Sequence, residues 1–430
     1  MCHSTPWQPS FEEVYRAYLA CRYGKKRRNQ QLLFEHNLGS NILALTHELA
    51  SRRYIPRPVE VFTVYRPRPR EIFAPHFRDR IVHHLLVKKL EPLWEQRFSY
   101  TSFSCRRGKG QHAALRYFVK KVQKISQGGR RLVWVLQLDV ERFFATIHRP
   151  TLVNLLLGNV EDSFLRYLIS TLYLHDARKG AWSRGPGPRG GSPHSRSGEI
   201  AGYPTAATAA FLQEKSWFRS SEQTGLPIGS LTSQFGANVY LHGLDQFIAR
   251  ALKPAASLRY TDDLTLLGPD PKELWDMHKP IEEWLKTRRI QTLNKNKLKL
   301  TRLDHGIEYL GYRLFQDLST AGRVRIALPR NKMSQFVLAC RSLERGGLQP
   351  PRLFDFPAPL VSLRKAREQL CSINSRLGHL RFARTWRLRS HVLVRLQHVL
   401  SERHASHYLI LLRHAFASIR IRLKLGSLHS

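Results

Sequence analysis

The run Leu132-Val-Trp-Val-Leu-Gln-Leu-Asp139 constrains this chain more than any other stretch. It is almost continuously apolar, so it reads as a central strand covered on both faces. It ends in a carboxylate, and burying an ionised carboxylate is costly unless cations or donors offset the charge. A second pair of apolar segments, between Ser257 and Leu267, flanks Thr261-Asp262-Asp263 and reads as a hairpin with two more carboxylates at its turn. Taken singly, an aspartate after a strand is most often a cap, and an Asp-Asp pair a solvated turn. Taken together they are hard oxygen donors of the kind Mg²⁺ uses beside substrate phosphates. Two such ions stabilise both the attacking and the leaving oxygen of an in-line phosphoryl displacement.

Carboxylates matter here because they are scarce. Across 430 residues there are 70 Lys and Arg against 32 Asp and Glu, a net charge of +38. Such an excess repels itself in a compact state and calls for a polyanionic partner. A spanning membrane helix is excluded, because no stretch approaches ~18 consecutive apolar residues. The segment Met1-Cys-His-Ser-Thr-Pro-Trp7 lacks the basic-then-apolar layout of a secretory signal. The basic residues are spread along the whole chain rather than gathered in one block, which favours nucleic acid. Cys2, Cys21, Cys105, Cys340 and Cys371 show neither CxxC nor zinc-finger spacing, so reduced thiols and a cytoplasmic setting are expected.

A length of 430 residues allows two or three structural units, and with 42% hydrophobic residues most of the chain is expected to fold. Residues 1–60 read as a helical N-terminal extension, with Phe11, Val14, Tyr15 and Tyr18, then Ile42, Leu45 and Leu49, at helical spacing. The basic run Lys25-Lys26-Arg27-Arg28 fits a solvated helix end and phosphate contact about equally well. Tyr54 to Pro75 is Pro- and Arg-rich and expected to be extended. Helices are expected over Arg80–Phe98 and Ala113–Ile125. Residues 178–202, dominated by Gly, Pro, Ser and Arg, read as a flexible surface insertion. Past Tyr312 the chain is basic and helical in pattern, notably at 366–377 and 386–400.

Between the two carboxylate sites lies Gly225-Leu-Pro-Ile228-Gly229-Ser-Leu-Thr-Ser-Gln234, a Pro/Gly loop running into a hydroxyl-rich helix start. Small residues there allow a base or sugar to approach the backbone closely. In order, Asp139-Val-Glu-Arg-Phe-Phe144, this loop and Tyr260-Thr-Asp-Asp263 resemble the A, B and C motifs of the reverse transcriptase palm. Pro67 to His84 resembles the fingers segment of bacterial members, and Ser102 to Ala114 the second fingers motif. Leu293-Asn-Lys-Asn-Lys297 and Gly306-Ile-Glu-Tyr-Leu-Gly311 resemble the motifs that follow the catalytic hairpin. The resemblance covers about Phe11 to Leu400.

It implies an α+β right-hand polymerase: fingers and palm over 61–314, then a basic helical thumb over 315–430. Asp139 and Asp262 would ligate two Mg²⁺ ions, with Mn²⁺ a possible substitute, and Asp263 would support them. Phe144, five positions after Asp139, would exclude a ribose 2′-hydroxyl and so select dNTPs. Arg68 and Arg70 would clamp the triphosphate, since guanidinium donors suit phosphate oxygens. Ile228, Gly229 and Gln234 would line the nucleotide, and Lys297 would assist the leaving pyrophosphate. Arg106, Arg107, Lys109 and Tyr260 are expected to meet template RNA or the RNA–cDNA duplex.

The second motif separates subfamilies. Group II intron enzymes usually carry Gln-Gly there and Ser-Pro after it, whereas this chain has Ile228-Gly229 and then Ser233-Gln234. That form, with Lys215-Ser-Trp-Phe218 and Ser372-Ile-Asn-Ser-Arg-Leu-Gly-His-Leu380, resembles the enzymes of diversity-generating retroelements. Such enzymes copy a template-repeat RNA with frequent errors at adenines, and work with a small, basic, oligomeric accessory variability protein. An isoleucine at 228 offers shape but no hydrogen bond, and discrimination by shape alone is weak. Within the family the nearest rival is a retron-like or other bacterial reverse transcriptase; neither Asn-Ala-x-x-His nor Val-Thr-Gly, typical of retron enzymes, occurs in the chain. The rival from another class is an RNA-binding descendant without catalysis. Three carboxylates and a gate-position aromatic have no use in such a protein.

Overall fold

The apolar run that opens the sequence argument is a strand with neighbours on both sides. In this computed structural model, which describes residues 6–23, 29–64, 70–183, 216–318, 323–329 and Ser334, ten strands occur. They are β1 (Glu60–Val64), β2 (Arg70–Ala74), β3 (Trp134–Asp139), β4 (Trp182–Ser183), β5 (Ala256–Tyr260), β6 (Asp263–Gly268), β7 (Lys299–Arg302), β8 (Ile307–Tyr309), β9 (Tyr312–Asp317) and β10 (Arg323–Ala327). The main sheet has the order β5-β6-β3-β7, which puts β3 in its interior. Val135, Leu136 and Leu138 are fully or almost fully buried, as a strand covered on both faces requires. The β5–β6 hairpin is antiparallel with Tyr260 opposite Asp263, so Thr261 and Asp262 form a two-residue turn.

The described residues divide into two units. The larger comprises those up to Ala114 together with Val135–Leu300 and contains the main-sheet hairpin. Its N-terminal helix, Phe11–Arg22, starts at a capping box between Ser10 and Glu13. That helix packs on the Phe77–Glu95 helix through Tyr18 against Phe77, ring centroids 6.3 Å apart, and a 2.7 Å Glu13–Lys89 ion pair. On either side of residues 65–69, which lie outside the described residues, the expected extended segment is the antiparallel strand pair β1 and β2. The helix Leu231–Phe247 begins at Ser230, whose hydroxyl accepts from the Ser233 N–H. Gly236 lets this helix lie close to its neighbours, because a Cβ there would come within 2.8 Å of the Tyr173 ring.

The smaller unit comprises Leu115–Trp134 and the described residues from Thr301 onward. It holds the antiparallel β10-β9-β8 sheet. Buried Gln316 stitches this unit, accepting from the Val133 N–H at 3.2 Å and donating to the Arg131 carbonyl at 2.9 Å. The mixture of helices with mainly antiparallel strands is the α+β class expected from the sequence.

One boundary moves. Residues 178–183 were expected to belong to the flexible insertion, yet they are built into the larger unit. Arg178 forms a 2.7 Å ion pair with Asp176 and donates to the carbonyls of Trp217, Ser220 and Ser221, and β4 pairs in parallel with β1. The composition of the following residues hid this, because the ordering comes from partners about forty positions away. The rest of that insertion, the run at 25–28, Arg68, Lys215 and the helical runs at 366–377 and 386–400 lie outside the described residues. Among the described residues no helix is long and apolar enough to cross a membrane.

Candidate active site

Asp139 ends β3 and is 5% exposed, so its charge needs partners. The Lys297 ammonium supplies one at 2.8 Å, and the Asn294 side-chain amide a weaker one at 3.5 Å. The Asn294 backbone N–H also donates to the Asp139 carbonyl at 2.8 Å, and Val140 bridges Leu293. The segment Leu293–Lys297 is thereby fastened alongside the end of β3, with Lys295–Lys297 as a single 3-10 turn. Asp263 reaches the Asp139 carboxyl within hydrogen-bonding range, and Asp262 lies close enough to feel both. Desolvation first, then Asp139, raises the Asp262 pKa; desolvation, then Asp262 and Asp139, raises that of Asp263. Lys297 opposes both shifts, and Arg70 opposes that of Asp262.

Among the described residues no three His, Cys, Asp or Glu side chains form a ready-made metal cluster. The donor chemistry nevertheless suits a divalent cation. Three carboxylates lie together, and among the described residues Lys297 is the ammonium that contacts them. Added positive charge would ease the desolvation and mutual repulsion that raise the pKa values of Asp262 and Asp263.

The turn that presents Asp262 is strained. Thr261 has φ of 61°, a region that β-branched residues rarely adopt and that costs about 1–3 kcal/mol. A two-residue hairpin needs such a φ at its first central position, where glycine is usual. Thr261 is held there from two sides. Its carbonyl accepts from Arg259 Nη1 at 2.9 Å, and its hydroxyl lies 2.7 Å from that of Ser104. Arg259 itself is 1% exposed and grips Asp245 through two 2.7 Å bonds. Its remaining donors go to Asn238 at 3.2 Å and the Ser102 hydroxyl at 3.0 Å. Asn238 in turn donates to the Ser104 carbonyl at 2.8 Å, closing the network on the turn. A buried arginine with every donor satisfied is a rigid support.

Around Phe144, three backbone segments form one hydrogen-bonded frame. The Phe144 carbonyl accepts from the Leu226 N–H at 2.8 Å, and that of Ile147 from Gly225 at 2.8 Å. The Ile228 carbonyl accepts from the Phe73 N–H of β2 at 2.9 Å. Phe144 and Ile228 are both half-buried, and Gly229 is exposed. Gly229 has φ of +117°, and a Cβ would press to 3.1 Å from Ile72, so glycine is required. Arg70, exposed, opens β2 beside this frame. Gln234 is exposed on the first turn of the Leu231–Phe247 helix, at a pocket of about 220 Å³ that Phe98, Cys105 and Arg107 also line.

The expected nucleic-acid residues separate into two kinds. Arg106 turns inward with its side chain 6% exposed, bound to Glu95 at 2.7 Å and to the carbonyls of Ser99 and Ser102. Arg107 is exposed, and Lys109 donates to the Tyr100 carbonyl while lying 3.5 Å above the Tyr100 ring. Tyr260 is half-buried. Residues the sequence reading did not single out include Asn294, Ser104 and the Arg259–Asp245 pair. For Asn294 the signal was present, inside Leu293-Asn-Lys-Asn-Lys297; for Asp245 none was, because its partner is fourteen positions away on another element.

The chain is 24% identical over 354 residues to Protein YkfC of Escherichia coli K12, covering 72% of this chain and 81% of that one. It is 24% identical over 248 residues to the group II intron-encoded protein LtrA of Lactococcus lactis, covering 57% of this chain but 34% of LtrA. An uncharacterised 91 kDa protein in the cob intron of Schizosaccharomyces pombe is 28% identical over 181 residues, 42% of this chain and 17% of that protein. The family model described as reverse transcriptase (RNA-dependent DNA polymerase) matches residues 66–314, which include the hairpin carboxylates, Asp139, and the loop between them. With more than half of its length matched by that model, the chain belongs to the reverse transcriptase family and is an RNA-directed DNA polymerase.

Proposed function

We propose that this polymerase serves a diversity-generating retroelement, copying a template-repeat RNA into cDNA with frequent errors at adenines. The observation that carries the reading is the half-buried Ile228, tied by its carbonyl to β2 in the same loop whose Leu226 bonds the Phe144 carbonyl. At that position a glutamine could reward correct geometry with a hydrogen bond, whereas isoleucine contributes contact area alone. Similarity to LtrA supports a retroelement setting.

In this reading residues 61–314 are fingers and palm, 1–60 an N-terminal extension, and 315–430 a basic thumb holding an A-form duplex through its backbone. Asp139 and Asp262 hold two Mg²⁺ ions, with Mn²⁺ able to replace them, and Asp263 adds negative charge beside them. Ions bound there neutralise charge on the attacking and leaving oxygens. Arg68 and Arg70 hold the triphosphate of the incoming dNTP, with Gly229 and Gln234 beside it. Phe144 excludes the 2′-hydroxyl, and Lys297 serves the leaving pyrophosphate. Arg107, Lys109 and Tyr260 touch RNA; Arg106 shapes the surface that does so. A small basic oligomeric accessory variability protein is the expected partner, in the cytoplasm.

The test is to sequence cDNA made on a defined RNA with dNTPs and Mg²⁺ by the wild type and by Ile228→Gln. Errors concentrated at template adenines, reduced in the variant, are expected. Faithful copying by the wild type overturns the retroelement assignment, and an unchanged adenine error rate in the variant removes Ile228 from it.

A further inference from the structure

Three segments meet in the frame around Phe144, and one side chain touches two of them. Trp217, 4% exposed, stands edge-on to Phe73 of β2 with ring centroids 4.8 Å apart. Its indole N–H donates to the Thr224 carbonyl at 2.8 Å, at the entrance to the Gly225-Leu-Pro-Ile228 loop. Gly225 lies directly on the ring: a Cβ there would fall 1.6 Å from the indole nitrogen. Phe73 bonds Ile228, and Gly225 and Leu226 bond Ile147 and Phe144. The indole therefore sits between β2 and the entrance to the loop that bears Ile228, beside the direct Phe73–Ile228 bond.

Trp217 is itself seated by charge. The buried Glu71 carboxylate, next to Arg70 on β2, accepts from the Ser216 hydroxyl at 3.0 Å and the Trp217 N–H at 3.1 Å. Arg142, two residues before Phe144, donates to the Ser216 carbonyl at 3.1 Å. The Arg178 guanidinium covers the outer face of the indole, 5.3 Å from its centre. A tryptophan held at its backbone, ring edge and ring face has one position, unlike an ordinary core aromatic that needs only to fill volume.

We propose that Trp217, seated by Glu71 through Ser216, is a positioning residue for nucleotide selection: it sets the gap between Phe144 and Ile228 without touching the nucleotide. The inference rests on the assignment of Phe144 and Ile228 to the dNTP site. Trp217→Phe keeps the ring against Phe73 but removes the bond to Thr224 and the indole edge under Gly225. Selectivity for dATP over ATP, measured as the ratio of kcat/KM values in primer extension on a defined RNA, is independent of how much of the enzyme is folded. That ratio should fall about two- to tenfold in Trp217→Phe, the scale of one hydrogen bond. Ser216→Ala, which deletes only the hydroxyl on Glu71, should move it the same way by less.

A wild-type ratio in both variants, with activity and thermal midpoint falling together, would show that Trp217 is packing alone and overturn the inference while leaving the dNTP site standing. If Phe144→Ala leaves the ratio unchanged, the dNTP-site assignment falls and takes the inference with it.

Discussion

The Arg259–Asp245 and Lys297–Asp139 pairs are almost equally short, 2.7 and 2.8 Å, yet the first is 1 and 2% exposed and the second 45 and 7%. Arg259 makes two bonds to its carboxylate and places its other donors on Asn238, Ser102 and Thr261. Lys297 makes a single contact from a surface turn. A buried, fully satisfied pair cannot exchange partners without leaving a bare charge in the interior. A half-exposed ammonium is solvated by water when it leaves, and the buried carboxylate it leaves then needs another cation. The first arrangement suits a fixed support for a strained turn, and the second suits a carboxylate that must accept another cation.

The largest expected effect breaks the first pair. Arg259→Met leaves Asp245 buried and unpaired and should lower unfolding free energy by about 3–5 kcal/mol in denaturant titration. Breaking the second pair should do the reverse to the two observables. Lys297→Ala should change stability by about 1 kcal/mol or less but slow cDNA synthesis about tenfold or more. Equal stability losses in the two variants would erase the distinction.

The smallest effect concerns acid. His242 packs edge-on to Trp94 and Phe98 near the Arg259–Asp245 pair, and its Nδ1 is buried without a partner. Burial holds its pKa below the ordinary 6.5, with Arg259 adding to the shift and Asp245 opposing it. The unfolded chain therefore takes up a proton below pH 6.5 that the folded chain refuses, and stability falls as pH drops through that range. His242→Phe keeps the packing and removes the titration. Its thermal midpoint should gain on the wild type between pH 7 and 5; a constant difference would contradict this.

The same contrast explains what the sequence made legible. Asp139, the Asp262–Asp263 turn and the Gly-rich loop are local patterns, and the apolar run before Asp139 announced a buried strand on its own. The helices at Phe77–Glu95 and Gln111–Ile125 were visible in their spacing to within three residues. The supports were hidden because they depend on distant partners. Nothing around Arg259 distinguishes a buried hub from one more basic residue in a chain with 70 of them. Arg106 looked like a surface contact for the same reason, until Glu95 and two carbonyls drew it inward. Likewise Ser216-Trp217 stood out only as part of a family signature, while its contacts with Glu71 and Gly225 are products of the fold.

The most direct test of the account compares Asp262→Asn with the wild type in primer extension on RNA with dNTPs and Mg²⁺, alongside RNA binding. The substitution preserves size and removes one charge from the three crowded carboxylates. The account predicts that cDNA synthesis is abolished while RNA affinity stays within about twofold, since phosphate contacts by Lys and Arg carry that affinity. Extension by the variant at the wild-type rate would contradict it.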